Sequence, residues 1–194
     1  MHNKSIILAS SSSRRLELMQ PLARAQGMEI IVDVPGVDES IEHDYPPHIV
    51  VETLAQRKGQ AVAARHNDDA LIVAADTIVV FNDEIFEKPR DKAHAHKMLS
   101  ALSGNTHTVY TGVYCNGQVW HEHALVTFKD IMSLIDWYID TGESFDKAGG
   151  YGVQGLGGAF VEHIGGDVNC VIGLPLSKLE AILSSYADIA ESSL

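Results

Sequence analysis

Ser5-Ile6-Ile7-Leu8-Ala9-Ser10-Ser11-Ser12-Ser13-Arg14-Arg15-Leu16-Glu17-Leu18-Met19 decides the fold class. An apolar run of strand length ends in a serine-rich turn, and helical spacing of apolar residues begins at once. A strand that passes directly into a helix is the opening unit of an α/β arrangement. The helix starts with two arginines, where the positive end of its macrodipole disfavours cations. An anion removes that conflict. N–H groups at a helix start, serine hydroxyls and two guanidinium forks together make a phosphate site. Taken alone, the segment also reads as a solvated Ser/Arg turn.

Further along the chain, strand patterns cover 29–34, 71–81, 106–115, 118–128, 159–164 and 168–172. Asn116-Gly117 is a two-residue hairpin signal between the fourth and fifth strands, counting 5–9 as the first. Gly165-Gly166-Asp167 is expected to turn the last pair. Helical patterns cover 14–26, 48–65, 92–102, 134–141 and 178–186. Ser103-Gly104 and Thr141-Gly142 read as helix stops, and Ser177-Lys178-Leu179-Glu180 fits a capping box. Strands and helices interleave early and hairpins dominate later, which predicts an α/β fold with a mixed central sheet flanked by helices.

The chain has 194 residues, 45% of them hydrophobic, enough for a sizeable core in one domain. Its formal net charge of −12 argues against nucleic acid or an anionic membrane as a partner. An acidic protein that binds polyphosphate must concentrate its few cations locally and recruit a divalent metal. Cys115 and Cys170 match no zinc spacing and are expected to be buried thiols of a reducing compartment. No apolar run approaches the ~20 residues that span a bilayer, and no signal-peptide pattern opens the chain. The expected location is the cytoplasm.

Asp76 interrupts the apolar run Leu71-Ile72-Val73-Ala74-Ala75 before Thr77-Ile78-Val79-Val80. A buried carboxylate is costly unless paired, metal-bound or protonated; the alternative is a strand-edge aspartate with its head in water. Lys58 shares a helix face with Val51, Leu54 and Val62, so it either snorkels to the edge or points into a cleft to hold phosphate. Lys88, between Glu87 and Pro89, reads as an exposed loop lysine or as a cation aimed by the rigid proline. Asp38-Glu39 is a solvated turn or a magnesium site completed by phosphate oxygens. The run from Asp146 to Gly158 is dense in glycine, which permits φ > 0 and close approach to a ligand. It is no dinucleotide fingerprint, because the third glycine and the following helix are missing. Within it Gln154 could read a base edge, since its amide both donates and accepts. His121 and His123 share a strand face but have no third ligand in view.

Taken in order, Leu8-Ala9-Ser10-x-Ser12-x-Arg14-Arg15, Asp38-Glu39, Leu54-Ala55-x-x-Lys58, Ala75-Asp76-Thr77, Glu87-Lys88-Pro89, Leu102-Ser103-Gly104, Asp146-Lys147-Ala148-Gly149 and Gly173-Leu174-Pro175 resemble the Maf family of nucleoside triphosphate pyrophosphatases. The resemblance covers nearly the whole chain as a single domain, residues 1–194. Ala75-Asp76-Thr77 and Tyr151-Gly152-Val153-Gln154-Gly155 look like its dTTP/UTP branch; the branch acting on 7-methyl-GTP has Gln after the aspartate. Two positions depart from the family pattern. Ser13 stands where proline is usual, and Gly59 where alanine is usual, which should weaken that helix by roughly 0.5–1 kcal/mol.

The resemblance implies an elongated, two-lobed Maf/ITPase-like fold with a central cleft, often a homodimer. It implies hydrolysis between the α- and β-phosphates to a monophosphate and pyrophosphate. Asp76 is then the proton acceptor, with Lys58 and Lys88 as catalytic cations. Ser10, Ser12, Arg14, Arg15 and Lys147 bind substrate. Arg14, Thr77 and Gln154 set base preference. Glu39 and Asp76 hold a divalent cation, Mg2+ or Mn2+. Two alternatives stay open: a same-fold enzyme for 7-methyl-GTP or non-canonical purine triphosphates, and a non-catalytic nucleotide-binding regulator of cell division.

Overall fold

The computed structural model describes residues 5–40, 45–66 and 70–191. Its elements are β1 (Ser5–Leu8), α1 (Ser13–Ala25), β2 (Glu29–Val32), α2 (Pro47–Ala63), β3 (Leu71–Phe81), β4 (Glu84–Phe86), α3 (Lys92–Leu102), β5 (Thr106–Cys115), β6 (Gln118–Phe128), α4 (Ile135–Asp140), β7 (Val161–Gly165), α5 (Val168–Ile172) and α6 (Ser177–Glu191). The strands form a seven-stranded sheet in the order β2-β1-β3-β5-β6-β7, with β4 on β3. β1 pairs in parallel with β2 and β3, whereas β3–β4 and β6–β7 are antiparallel. The mixed α/β sheet expected from the sequence is therefore present. The chain forms two compact units, one of residues 1–76, 112–121 and 173–194 and the other of 77–111 and 122–172.

In the first unit, strand alternation explains the continuous apolar runs. Ile6, Leu8, Leu71, Val73, Ala75, Val113 and Cys115 pack with Met19 and Ala23 of α1 and Leu179 and Leu183 of α6. The intervening Ile7, Ala9, Ile72, Ala74 and Tyr114 pack with Ala55 and Val62 of α2. Strands covered on both faces need apolar residues at every position, so alternation disappears from their sequence. Parity then places Asp76 on the face of Ile72 and Ala74, under α2. Gly59 of α2 is not merely a weak point of its helix. A Cβ there would lie 2.0 Å from the buried Tyr114 ring, so the glycine makes room for β5.

The second unit has its own core. Val79, Val109, Val126 and Phe128 pack with Ala95, Met98, Leu99 and Leu102 of α3, with Ile135, Tyr138 and Ile139 of α4, and with Tyr151 and Phe160. Phe160 meets Phe128 and Tyr138 edge to face.

Local signals placed most boundaries. Asn116 and Gly117 both have positive φ, as a type I′ hairpin turn requires. Gly104 and Gly142 take the left-handed conformation that ends a helix. Other expectations are corrected. Residues 168–172 form α5, not a strand: the Asp167 carboxylate accepts the Asn169 amide and Asp167 O accepts from Cys170 N, which closes a helical turn. Gly165-Gly166-Asp167 consequently turns β7 into a helix. Residues 159 and 160 belong to a 3-10 turn, so β7 begins at Val161. The helix expected over 134–141 divides into a 3-10 turn, Met132–Leu134, and α4. In the expected capping box Glu180 accepts from Ser184 one turn further on. β4 was missed because three residues carry no readable period; the turn before it, Asn82-Asp83, has positive φ at both positions.

Candidate active site

The serine-rich turn is organised by its own side chains. Ser12 is the N-cap of α1, and its hydroxyl accepts the Arg15 amide. Ser13 occupies the first helical position, which proline suits but does not need to fill. Buried Ser10 accepts both the Ser12 amide at 3.2 Å and Arg15 Nη1 at 3.3 Å. Arg15 Nε also donates to Gly173 O at 2.9 Å, so this arginine ties the start of α1 to a distant part of the chain. Burial lowers the Arg15 guanidinium below its ordinary value, against the opposing pull of Asp76 and Glu39. Arg14 and the two serines complete the turn at the end of β1.

Asp76 and Lys58 are each only 6% exposed. Lys58 Nζ donates to Asp76 Oδ1 at 2.6 Å and lies 3.1 Å from Glu39 Oε2. Lys58 therefore points inward, and Asp76 is a buried, paired carboxylate rather than a strand-edge one. Burying two charges costs several kcal/mol of desolvation, and an apolar pair would serve the core equally well. A buried ion pair that packing does not require is a candidate for chemistry. Glu39 is held from behind: Arg57 Nη1 donates to Asp38 O at 2.7 Å and Ser40 O at 3.0 Å, the two carbonyls that flank it. Consecutive α2 residues thus grip the loop and meet its side chain. Nothing in the sequence singled out Arg57.

Two carboxylates facing one ammonium are a donor set that suits Mg2+ or Mn2+, which accept one or two protein carboxylates and complete their shell with phosphate oxygens and water. Among the described residues no group of three or more His, Cys, Asp or Glu side chains is placed to hold a metal. A cation here would depend on substrate phosphates. His121 is instead bonded to Glu52 at 2.7 Å and stacked near His48, and His123 lies against Tyr110.

The second unit carries the remaining expected residues. Thr77 Oγ1 lies 2.9 Å from Thr111 Oγ1, whose proton goes to Cys170 O. Lys88 is exposed and makes no hydrogen bond or ion pair among the described residues. It is brought beside the glycine-rich segment, because Glu87 O accepts the Gly149 amide and Pro89 lies against Gly150. Lys147 Nζ donates to Glu143 O at 2.7 Å and to Asp146. Gln154 is exposed, and its amide makes no hydrogen bond among the described residues. Glu143 was missed altogether. Its Oε1 accepts Tyr138 Oη–H and the Gly157 amide, and its Oε2 accepts the Leu156 amide. The readable trace of it was the glycine density itself, which signals close approach to something.

Tyr151, in the middle of that segment, is anchored to buried His107 by a 2.8 Å hydrogen bond to Nε2. His107 Nδ1 has no partner among the described residues, and burial lowers its pKa from 6.5 to about 4. The folded state thus prefers the neutral ring. Below pH 6.5 the unfolded chain binds the extra proton, so stability falls as pH drops from 6.5 towards 4. A shift of this size corresponds to roughly 3 kcal/mol. Urea titrations at several pH values in this window should show that loss, and His107→Gln should remove most of its slope. An unchanged slope in the variant assigns the acid sensitivity elsewhere. Burial also pushes the Cys115 and Cys170 thiols up, to about 12 and about 11, so both are inert core groups.

Residues 5–186 match the family described as Maf-like protein. The dTTP/UTP pyrophosphatase of Symbiobacterium thermophilum is 44% identical over 188 residues, covering 94% of each chain. That of Clostridium novyi is 43% identical over 185 residues, covering 91% of this chain and 95% of the relative. Among solved structures, a HAM1 protein from Coxiella burnetii aligns at a TM-score of 0.38 and 18% identity, over 63% of this chain and 70% of that one. No helix among the described residues is long and apolar enough to cross a membrane.

Proposed function

This chain belongs to the Maf family, and we infer that it is a nucleoside triphosphate pyrophosphatase that hydrolyses dTTP and UTP to the monophosphate and pyrophosphate. The observation that carries this reading is buried Lys58 Nζ, held between Asp76 at 2.6 Å and Glu39 at 3.1 Å, with Arg15 acting electrostatically on both carboxylates. Names of relatives at 43–44% identity over most of their length support the same substrates.

Asp76 is the proton acceptor. A water adds its oxygen to the α-phosphorus and gives a proton to the Asp76 carboxylate. The bond to the α,β-bridging oxygen breaks, and its electron pair leaves with pyrophosphate. Ser10, Ser12, Arg14, Arg15 and Lys147 bind the phosphates; Lys58 and Lys88 neutralise charge that grows on the leaving group. A divalent cation, Mg2+ or Mn2+, held by Asp76 and Glu39 would lower the pKa of the water and shield the phosphates. Arg14, Thr77 and Gln154 set base preference, the Gln154 amide offering both a donor and an acceptor to a pyrimidine edge. The cytoplasm fits two unpaired, buried thiols.

A pyrophosphate-release assay over natural and modified triphosphates tests this reading. Expected is one pyrophosphate per monophosphate, fastest with dTTP and UTP, and lost on chelation of the metal. Release of orthophosphate, or a preference for 7-methyl-GTP or a non-canonical purine triphosphate, would overturn it.

A further inference from the structure

We propose that Glu143 is the positioning residue for base discrimination: its carboxylate shapes the segment 152–157 that presents Gln154. The proposal rests on the dTTP/UTP reading above. Three donors converge on this one side chain. Tyr138 Oη–H reaches Oε1 at 3.0 Å and the Gly157 amide reaches it at 3.2 Å, while the Leu156 amide reaches Oε2 at 2.9 Å. The tyrosine in turn accepts the Gly152 amide at 3.2 Å. Gln154 is therefore bracketed by anchored backbone on both sides, at 152 and at 156–157.

The glycines of the segment fit this role. A Cβ on residue 155 would lie 2.4 Å and 2.5 Å from the two Glu143 carboxylate oxygens, and one on residue 157 would lie 2.9 Å from Tyr138 Oη. A Cβ on residue 152 would lie 2.5 Å from Lys147 Cε, whose Nζ is tied to Glu143 O. The backbone closes on the carboxylate because no side chain stands in between. Burial alone would raise the Glu143 carboxyl; the Leu156 and Gly157 amides, the Tyr138 hydroxyl and Lys147 together draw it below the usual carboxylate range. An ionised carboxylate presents acceptors on both oxygens and has no proton of its own to aim at these donors. A glutamine would turn its NH2 towards one of these donors. The result is an exposed amide on an ordered backbone, so its ordering cost is met before any nucleotide arrives.

The test uses Glu143→Gln, Gln154→Ala and Tyr138→Phe in the full chain. Hydrogen exchange is followed at the Leu156 and Gly157 amides, and kcat/KM is measured for UTP and GTP. Glu143→Gln is expected to lose protection at one of the two amides, the one that meets the new NH2, and to lower the UTP/GTP ratio by about tenfold. Gln154→Ala is expected to lower the ratio with protection intact. Should Glu143→Gln fold and keep the parent ratio, the proposal is wrong whatever Gln154→Ala does. Should Glu143→Gln change the ratio while Gln154→Ala does not, Glu143 does not act through Gln154 and the proposal is overturned, while the dTTP/UTP reading stands on its own pyrophosphate-release assay. If Glu143→Gln does not fold, Tyr138→Phe decides: it removes one donor to Oε1 and the acceptor of the Gly152 amide. A fall of roughly threefold in the ratio supports the proposal, and an unchanged ratio overturns it.

Discussion

Asp76→Asn lowers the turnover number for dTTP by about a hundredfold or more, the range expected when a general base is removed. The amide has the shape of the carboxylate but cannot take the proton of the attacking water. The fold should survive the change. An amide oxygen can still accept from Lys58 Nζ, and Glu39 still faces that ammonium at 3.1 Å. Deleting the side chain instead would remove the buried partner of Lys58 and leave it only the more exposed Glu39, at a cost of up to about 3–5 kcal/mol. The diagnostic result is a collapse of kcat in pyrophosphate release beside a thermal unfolding midpoint close to the parent's. Near-normal turnover removes Asp76 from the proton-acceptor role.

Gly112→Ala has the largest expected effect on stability. A Cβ at this position in β5 would lie 2.3 Å from Val51 O, 2.4 Å from Val51 C and 2.8 Å from Glu52 N. These are backbone atoms of α2, so no rotamer change relieves the clash and the helix must move off the sheet. Ordinary overpacking costs about 1–3 kcal/mol; displacing a whole helix should exceed that and take a large share of the roughly 5–15 kcal/mol that holds a domain together. Because α2 carries both Arg57 and Lys58, the folded fraction should also lose activity. Gly117→Ala is the control, since nothing lies within 4 Å of its Cβ position and only its φ of +87° is strained. Urea unfolding compares the two. A Gly112→Ala protein as stable as Gly117→Ala would mean that α2 does not rest on β5 in solution.

Both effects trace to parts of the chain with very different legibility. The passage from β1 to α1, the runs buried on both faces and the hairpin at Asn116-Gly117 follow from local backbone geometry. A period of two or of 3.6 residues is written into neighbouring positions, and a sequence displays it directly. Parity along β3 even placed Asp76 on the α2 face once α2 was known to cover it. Where the period was short or absent, as in β4 and residues 168–172, the reading failed, because hydrogen bonds of single side chains such as Asp167 decided the conformation.

By itself the sequence determined the mixed α/β class, most of the strand and helix spans, and the presence of a carboxylate inside an apolar strand. It could not decide whether Lys58 pointed inward or to solvent, because helical spacing places Cβ and not Nζ at the end of a long, flexible stem. Tertiary structure decided that, through a contact between residues 18 apart. It also brought Arg15 to Gly173 O, 158 residues away, set Arg57 behind Glu39, and drew the glycine-rich segment around Glu143. These contacts arise because buried donors and acceptors must be satisfied by whatever partner the packed fold brings within reach. Local periodicity carries no record of that partner.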